Sequence, residues 1–407
     1  MTASRAKHIE ILRRQKIDLD HPGTILRDFE SVLDAFGTEG MRSTGKYHLF
    51  PQDRLFELDA RLARPLRPNL KRPQQRSFPH LNGLYLLLRA TRLAVPQGMG
   101  KTTGRLVVDQ AVLDSWRSLN FTEQYFNLLE AWLLRGRDEM IGEAGRGWTG
   151  EMALNAMHLW TVIVSRGQRL QPDSCPPLYG ALQYCTLALM ELFGLAEVDR
   201  GEPAEGASWR ILAVRPTPFG EAISDTLLSP DRIPWADLGA EPPEFGYWQP
   251  LLQECFPEWR NNLQLPEPEF RDGVYYFKVR LGDPWRVIAI AADHTLEDLA
   301  WSILKAFKFS GDHLYEFRFS ERDGSKTAVS HPYVESDATQ TDEFAIGYLP
   351  LAEGQSMEFE YDFGAGWRFD VKLERVEPSN PRLKKPRIVE SHGAPPKEYD
   401  DDDYDED

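Results

Sequence analysis

The chain has 407 residues, 42% of them hydrophobic, and a formal net charge of −16. That apolar content is enough for ordinary globular cores and excludes a chain disordered throughout, and the length corresponds to roughly two or three domains. No apolar run approaches the ~18 residues of a membrane span, the charged stretch MTASRAKHIEILRRQ has no signal-peptide core, and Cys175, Cys185 and Cys255 form no C-x-x-C pair that would suggest disulfides or zinc. A cytoplasmic protein with no membrane contact, no metal and no cofactor is expected.

The charge is unevenly spread: residues 1–110 carry a net +8, residues 111–265 a net −10 and residues 266–407 a net −14. A basic first part on an acidic body suits an anionic partner. Its focus is 61–76, RLARPLRPNLKRPQQR, with six cations and no acid. Pro65, Pro68 and Pro73 break any helix there, so an extended basic linker is expected. Arg61, Arg64, Arg67, Lys71, Arg72 and Arg76 are the candidates for nucleic-acid contact, through weak, sequence-independent binding to phosphates.

HLNGLYLLLRATRLAV then reads as an apolar helix, and PQGMGKTTG as a turn. GMGKTT matches the end of a Walker A loop, but Val95 stands where the opening glycine belongs. Thr102, Thr103 and Gly104 are poor helix formers, and RLVVDQ beyond them reads as a strand. Helix, turn, strand is the reverse of a phosphate loop, so a Gly-rich hairpin tip that binds no nucleotide is expected. DSWRSLNFTEQYFNLLEAWLLRG follows, with Asn120 or Thr122 as helix cap and Phe126, Leu129, Leu133 and Leu134 on one face.

The pattern recurs. PPLYGALQYCTLALMELFGLAEVDR is an apolar helix region, GEPAEGAS a polar turn, and WRILAVRPTPFGEAISDTL a strand, a turn at Pro218 and Gly220, and a short helix. These two blocks, near 80–140 and 150–228, resemble tandem winged-helix modules, which serve protein contacts as well as DNA contacts. GEPAEGAS is acidic where a DNA-binding wing would carry lysine or arginine. Residues 229–271 are rich in proline and tryptophan, with Trp235, Trp248 and Trp259 expected at a domain seam and LPEPEFRDG as the boundary.

From Val274 the pattern changes to strands. VYYFKVRL and WRVIAIAA alternate about a GDP turn. Asp293 or Thr295 caps TLEDLAWSILKAFKF, whose Leu296, Leu299, Ile303, Leu304 and Phe307 share a face. HLYEFRFS is a third strand, and SMEFEYDFGAGWRFDVKLERVE a hairpin turning at Gly364 and Gly366. Strand, strand, helix, strand, hairpin is an α+β arrangement like a β-grasp roll. The organisation expected is therefore α+β and multidomain: a helical and basic region at 1–78, winged-helix-like modules at 79–228, a connector at 229–271, an α+β domain at 272–399 and a disordered acidic tail at 400–407.

Four ordered motifs in the last domain carry a family resemblance: Trp285-Arg286; Thr295-Leu296 with Asp298-Leu299; His313 to Phe317; and Tyr361 to Gly364 with Trp367-Arg368. Together with Ala394 to Pro396 and Tyr399 they are similar to the plasmid Ri ORF-three-like family, also catalogued as insertion-element passenger proteins of the TnpR type. The similarity covers 274–399, about a third of the chain. Where relatives commonly place an acidic residue or histidines, this chain has Ala365, Phe369 and Ala300. The resemblance implies the fold and an association with mobile DNA, with no reaction attached.

Two sites are open on this reading. His313, Asp362 and Asp370 form a cluster for general acid–base chemistry if they converge; otherwise Asp362 holds its own turn. Trp285, Tyr361, Phe363 and Trp367 line an aromatic groove or else belong to a sheet core. The function expected is that of a non-enzymatic interaction protein with a protein partner or weak DNA binding. The alternative is an enzyme with its site at the Tyr361–Trp367 turn and His313.

Overall fold

The computed structural model describes residues 3–97, 103–143, 151–165, 181–203, 205–234, 242–322, 326–335 and 338–398. The chain divides into two compact units, the first built mainly from Met1–Ala236 and Pro242–Pro266, the second from Glu267–Glu321 and Lys326–Asp407. Helices dominate the first, and an antiparallel sheet with one packed helix dominates the second, so the chain is α+β. No helix among the described residues is long and apolar enough to cross a membrane.

The first unit opens with α1 (Ala3–Arg14) and α2 (Ile25–Asp34), whose Ile25, Phe29 and Val32 recur at helical spacing and turn inward. Then come β1 (Met41–Thr44), α3 (Leu55–Ala60), α4 (Pro79–Ala90), β2 (Ala94–Gln97) and β3 (Thr103–Val108). β3 pairs antiparallel with both neighbours, from Met41↔Leu106 to Thr44↔Thr103 and from Ala94↔Val108 to Gln97↔Arg105. Gly98–Thr102, most of GMGKTT, lie outside the described residues. Their flanks are the two strands of a hairpin that follows a helix, whereas a phosphate loop joins a strand to a helix. β1, within the stretch read as helical and basic, completes the sheet.

α5 (Gln110–Ser118) and α6 (Phe121–Glu130) follow. Asn120, not Thr122, caps α6 through a reciprocal capping box with Glu123. The second half contains α7 (Glu151–Ser165), α8 (Ala181–Leu192), a hairpin of β4 (Ala196–Gly201) and β5 (Arg210–Pro216), then α9 (Pro218–Leu227) and α10 (Gln249–Leu252). Thr217 accepts from the Gly220 N–H at 2.8 Å, so Pro218 and Gly220 open a helix where a free turn was expected.

The core of this unit is the packing of α4 on α8, the two helices that precede the hairpins. Every residue of α4 is buried. Close approach depends on Gly83, where an added Cβ would lie 2.7 Å from Leu189 Cγ.

The segment 61–76 is no free linker. Asp59 accepts the Leu66 and Arg67 N–H groups at 2.9 and 2.8 Å, Asp28 accepts Ala63 N–H at 2.7 Å, and Asn69 exchanges two backbone hydrogen bonds with the 206–207 turn. Leu62 and Leu66 are buried beneath it. Prolines keep it from being helical, and buried carboxylates supply the acceptors its N–H groups need.

The proline- and tryptophan-rich stretch also belongs to the first unit. Glu123, Asn127 and Glu130 lie along one face of α6. Glu123 accepts Arg260 and Asn261 N–H, Asn127 accepts Leu263 N–H, and Glu130 accepts Gly246 and Trp248 N–H at 2.6 and 2.7 Å. This places Trp248 and Trp259 in the core of the unit rather than at a domain seam, with Trp259 stacked on Phe126 at 4.5 Å. Trp235 lies outside the described residues.

The second unit contains β6 (Val274–Arg280), β7 (Trp285–Ala291), α11 (Leu296–Phe307), β8 (Tyr315–Ser320), β9 (Lys326–Ser330), β10 (Ser356–Tyr361), β11 (Trp367–Glu377) and β12 (Arg387–His392). Among the described residues they form a seven-stranded sheet in the order β12-β7-β6-β11-β10-β8-β9, with every pair antiparallel. The roll expected from the sequence is thus extended at both edges. β9 is short, and every residue of β12 is exposed, so neither carries an alternating pattern. Thr295, not Asp293, caps α11, and Leu296, Leu299, Ile303, Leu304 and Phe307 are all buried.

Two predictions follow from the packing of the first unit. Gly83→Val overpacks the α4–α8 contact and should destabilise the protein by about 2 kcal/mol. Leu189→Ala in the same chain should recover part of that loss, a non-additivity readable in a double-mutant cycle of urea unfolding. For Glu130, burial pushes the carboxyl up to about 7, against the opposing Trp248 and Gly246 N–H bonds. A folded-state value above the ordinary 4.5 means a stabilising contribution complete below about 4.5 and lost as pH rises through about 7. The unfolding midpoint should therefore fall between about pH 5 and pH 8, and Glu130→Gln should flatten part of that slope. Asp138, likewise pushed up to about 7 by burial and nearby carboxylates, should account for a remainder. An unchanged slope in Glu130→Gln would exclude that carboxyl as a source.

Candidate functional site

The turn between β10 and β11 is built by Asp362. Its φ of 54° and that of Gly366 at 67° are left-handed, a conformation that asparagine, aspartate and glycine accept best. Asp362 Oδ1 accepts the Gly364 and Ala365 N–H groups at 3.0 and 3.3 Å, and Asp362 O accepts Gly366 N–H at 2.6 Å. Its other carboxylate oxygen lies 3.9 Å from His313 Nε2, and Asp312 Oδ1 lies 3.5 Å from the same nitrogen. The structure thus brings His313 and Asp362 together, adds Asp312, and gives Asp362 the turn-holding role. Asp370 stands apart: it is exposed on β11, in register with Arg280 and Glu358.

Tyr361, at the end of β10, is fully buried, and its hydroxyl organises the loop after α11. It accepts Gly311 N–H at 3.0 Å and lies 3.0 Å from Glu398 Oε1, 3.2 Å from Asp312 Oδ1 and 3.1 Å from Ser310 Oγ. Glu398 also accepts from Ser310 N–H and Oγ–H, at 2.5 and 2.7 Å. Burial raises the Tyr361 hydroxyl above its ordinary value, with Glu398 adding to the shift, so it stays protonated at neutral pH. The chemistry of this cluster is that of a hydrogen-bonded lock.

The four aromatic candidates do not share a groove. Tyr361 and Trp367 are cross-strand partners, with Phe309 against both at 5.8 and 5.1 Å. Phe363 is exposed at the turn. Trp285 sits on β7, stacked on His392 at 5.7 Å with the Lys278 ammonium 3.9 Å over its ring.

Arg61, Arg64, Arg67, Lys71, Arg72 and Arg76 are all exposed. Arg61 pairs with Glu57 at 3.1 Å and Arg64 with Glu191 at 2.9 Å.

Sequence reasoning missed a second polar cluster in the first unit. Glu191 of α8, nearly buried, meets His80 of α4 at 2.8 Å, Arg200 of β4 at 2.5 Å, and Arg64. Burial alone would raise the Glu191 carboxyl. The His80 hydrogen bond and the Arg200 charge reverse that and hold it below the ordinary carboxylate range. Burial lowers His80, which stays neutral at neutral pH. The available signal was a histidine and a glutamate 111 residues apart in two largely apolar helices. Among the described residues no group of three His, Cys, Asp or Glu side chains is arranged to hold a metal ion.

Residues 274–402 match the model of the plasmid pRiA4b ORF-3-like protein family. No curated protein matches the chain. Among solved structures, a protein of unknown function from Methanosarcina mazei Go1 is similar at 22% identity, over 31% of this chain and 74% of that one, with a TM-score of 0.29.

The lock around Tyr361 gives a prediction. Tyr361→Phe removes the acceptor of Gly311 N–H and should cost about 1 kcal/mol, seen as a lower unfolding midpoint of the full chain. His313→Ala, at a half-exposed side chain, should change stability by less than about 0.5 kcal/mol. Equal losses in the two variants would mean that His313 helps to hold the loop.

Proposed function

We propose that the chain is a non-enzymatic interaction protein of the kind carried with mobile DNA, and that its partner is a protein rather than a DNA duplex. The mobile-DNA context rests on the match of residues 274–402 to a plasmid-borne family. The choice of partner rests on one observation, the burial of α4 on every side.

The element order α2, β1, α3, α4, β2, β3, with β1 beside β3, supports reading the first half of the first unit as a winged-helix module. α6, α7, α8, β4 and β5 support a second. In a DNA-binding helix-turn-helix the second, recognition helix lies in the major groove. Here α4, in the corresponding place, is packed against α8 and offers no face to a duplex. In the basic 61–76 segment Arg61 and Arg64 already hold carboxylates. The engagement of Asp362 with its own turn, and the separation of Asp370 from His313, likewise favour an interaction role over the enzymatic one.

The test is fluorescence anisotropy of the full chain with labelled duplex across a salt series. Any binding should be sequence-independent, should vanish between about 50 and 200 mM salt, and should be lost when Arg61, Arg64, Arg67, Lys71, Arg72 and Arg76 are replaced by glutamine. Sequence-selective binding that survives about 200 mM salt would overturn the protein-partner reading.

A further inference from the structure

The packing of α4 against α8 leaves a pocket of about 250 Å³ in the first unit, walled by Arg64, His80, Glu191 and Arg200 and floored by the chain around Gly23 and Gly194. We propose that this pocket binds a small organic anion through a carboxylate group held by Arg64 and Arg200. The inference is independent of the partner reading above.

The floor is rigid backbone. A Cβ at Gly23 would lie 2.1 Å from Leu192 O, and one at Gly194 would lie 2.3 Å from Pro22 O. The loop before α2 and the turn after α8 therefore touch main chain to main chain.

Three of the four acids on the wall have partners other than Arg64 and Arg200. Asp20 is paired with Arg27 at 2.6 Å and Glu197 with Arg215 at 3.5 Å, both outside the lining. Asp28 has one oxygen on the Thr24 hydroxyl and the other on Ala63 N–H, each at 2.7 Å. Glu191 is left as the one carboxylate shared by two guanidinium groups, Arg64 on Oε1 and Arg200 on Oε2. Donor capacity is left over as well. Among the described residues Arg200 Nε is buried without a hydrogen-bond partner. Thr217, the N-cap of α9, also lines the pocket and brings the positive end of that helix to it.

Glu191 indicates the class of ligand. A planar, two-oxygen acceptor fits between the two arginine forks, the geometry carboxylates share with guanidinium groups. A phosphate dianion would bring two charges to a wall that also contains Glu191, Asp28 and Glu197. The volume lies below the ~300 Å³ at which pockets for drug-sized ligands begin, so the ligand is a metabolite of a few carbons.

Titration calorimetry of the full chain with acetate, lactate and succinate at constant ionic strength tests this, with inorganic phosphate as the comparison. At least one carboxylate should bind saturably. Arg64→Gln should weaken that binding at least tenfold, and Arg61→Gln should bind as the unaltered protein does. The ligand should also raise the midpoint of the unaltered protein and not that of Arg64→Gln. The assignment fails if none of the three carboxylates binds, if Arg64→Gln binds equally well, or if phosphate binds as tightly as the best carboxylate.

Discussion

The contact between α4 and α8 is the constraint on which the first unit depends. Both helices are apolar on more than one face, so neither can sit at a surface, and hydrophobic burial drives each against the other. A helix pair that close needs a small residue at the crossing, and Gly83 provides it against Leu189. The contact puts the β2–β3 and β4–β5 hairpins in one compact unit. It removes the whole of α4 from the surface. It also forces His80 and Glu191, one polar residue from each helix, to meet inside. Such a pair survives burial because arginines complete its hydrogen bonding.

Carboxylates do structural work throughout this unit. Asp28 and Asp59 accept from the basic segment, and Glu123 and Glu130 accept from the tryptophan-rich one. In each case a chain segment that proline keeps out of helix or sheet still has N–H groups to satisfy, and a side chain from a regular helix satisfies them. The acidic composition of residues 111–265 is thus partly a set of internal acceptors. At Glu130 the cost of desolvation remains visible as a carboxyl that titrates near neutral pH.

The second unit solves a simpler problem. One helix covers one face of an antiparallel sheet, and the opposite face carries paired charges, with Glu360 held by Arg318 at 2.8 Å and by Arg368 at 3.3 Å. Tyr361 links this sheet to the loop after α11 and, through Glu398, to the end of the described chain. The motif Tyr361 to Gly364 with Trp367 therefore has a structural account: a buried tyrosine lock, an aspartate-built turn, and an aromatic packed on Phe309.

What the sequence determined by itself was local. Periodicity and capping chemistry identified α11 with its buried face, because five apolar residues at helical spacing leave one orientation open. Alternation identified β6 and β7, and glycines with Asp362 identified the turn between β10 and β11. The reversed order around GMGKTT was also readable, since it needs only neighbouring elements. Tertiary structure decided everything that depends on distant residues. The fate of Arg64 depends on Glu191, that of Trp248 on Glu130, and that of α4 on α8, and none of these partners is marked by spacing along the chain. β12 escaped notice because a wholly exposed edge strand buries no alternate side chains, so its pairing with β7 rests on backbone hydrogen bonds that every sequence can make.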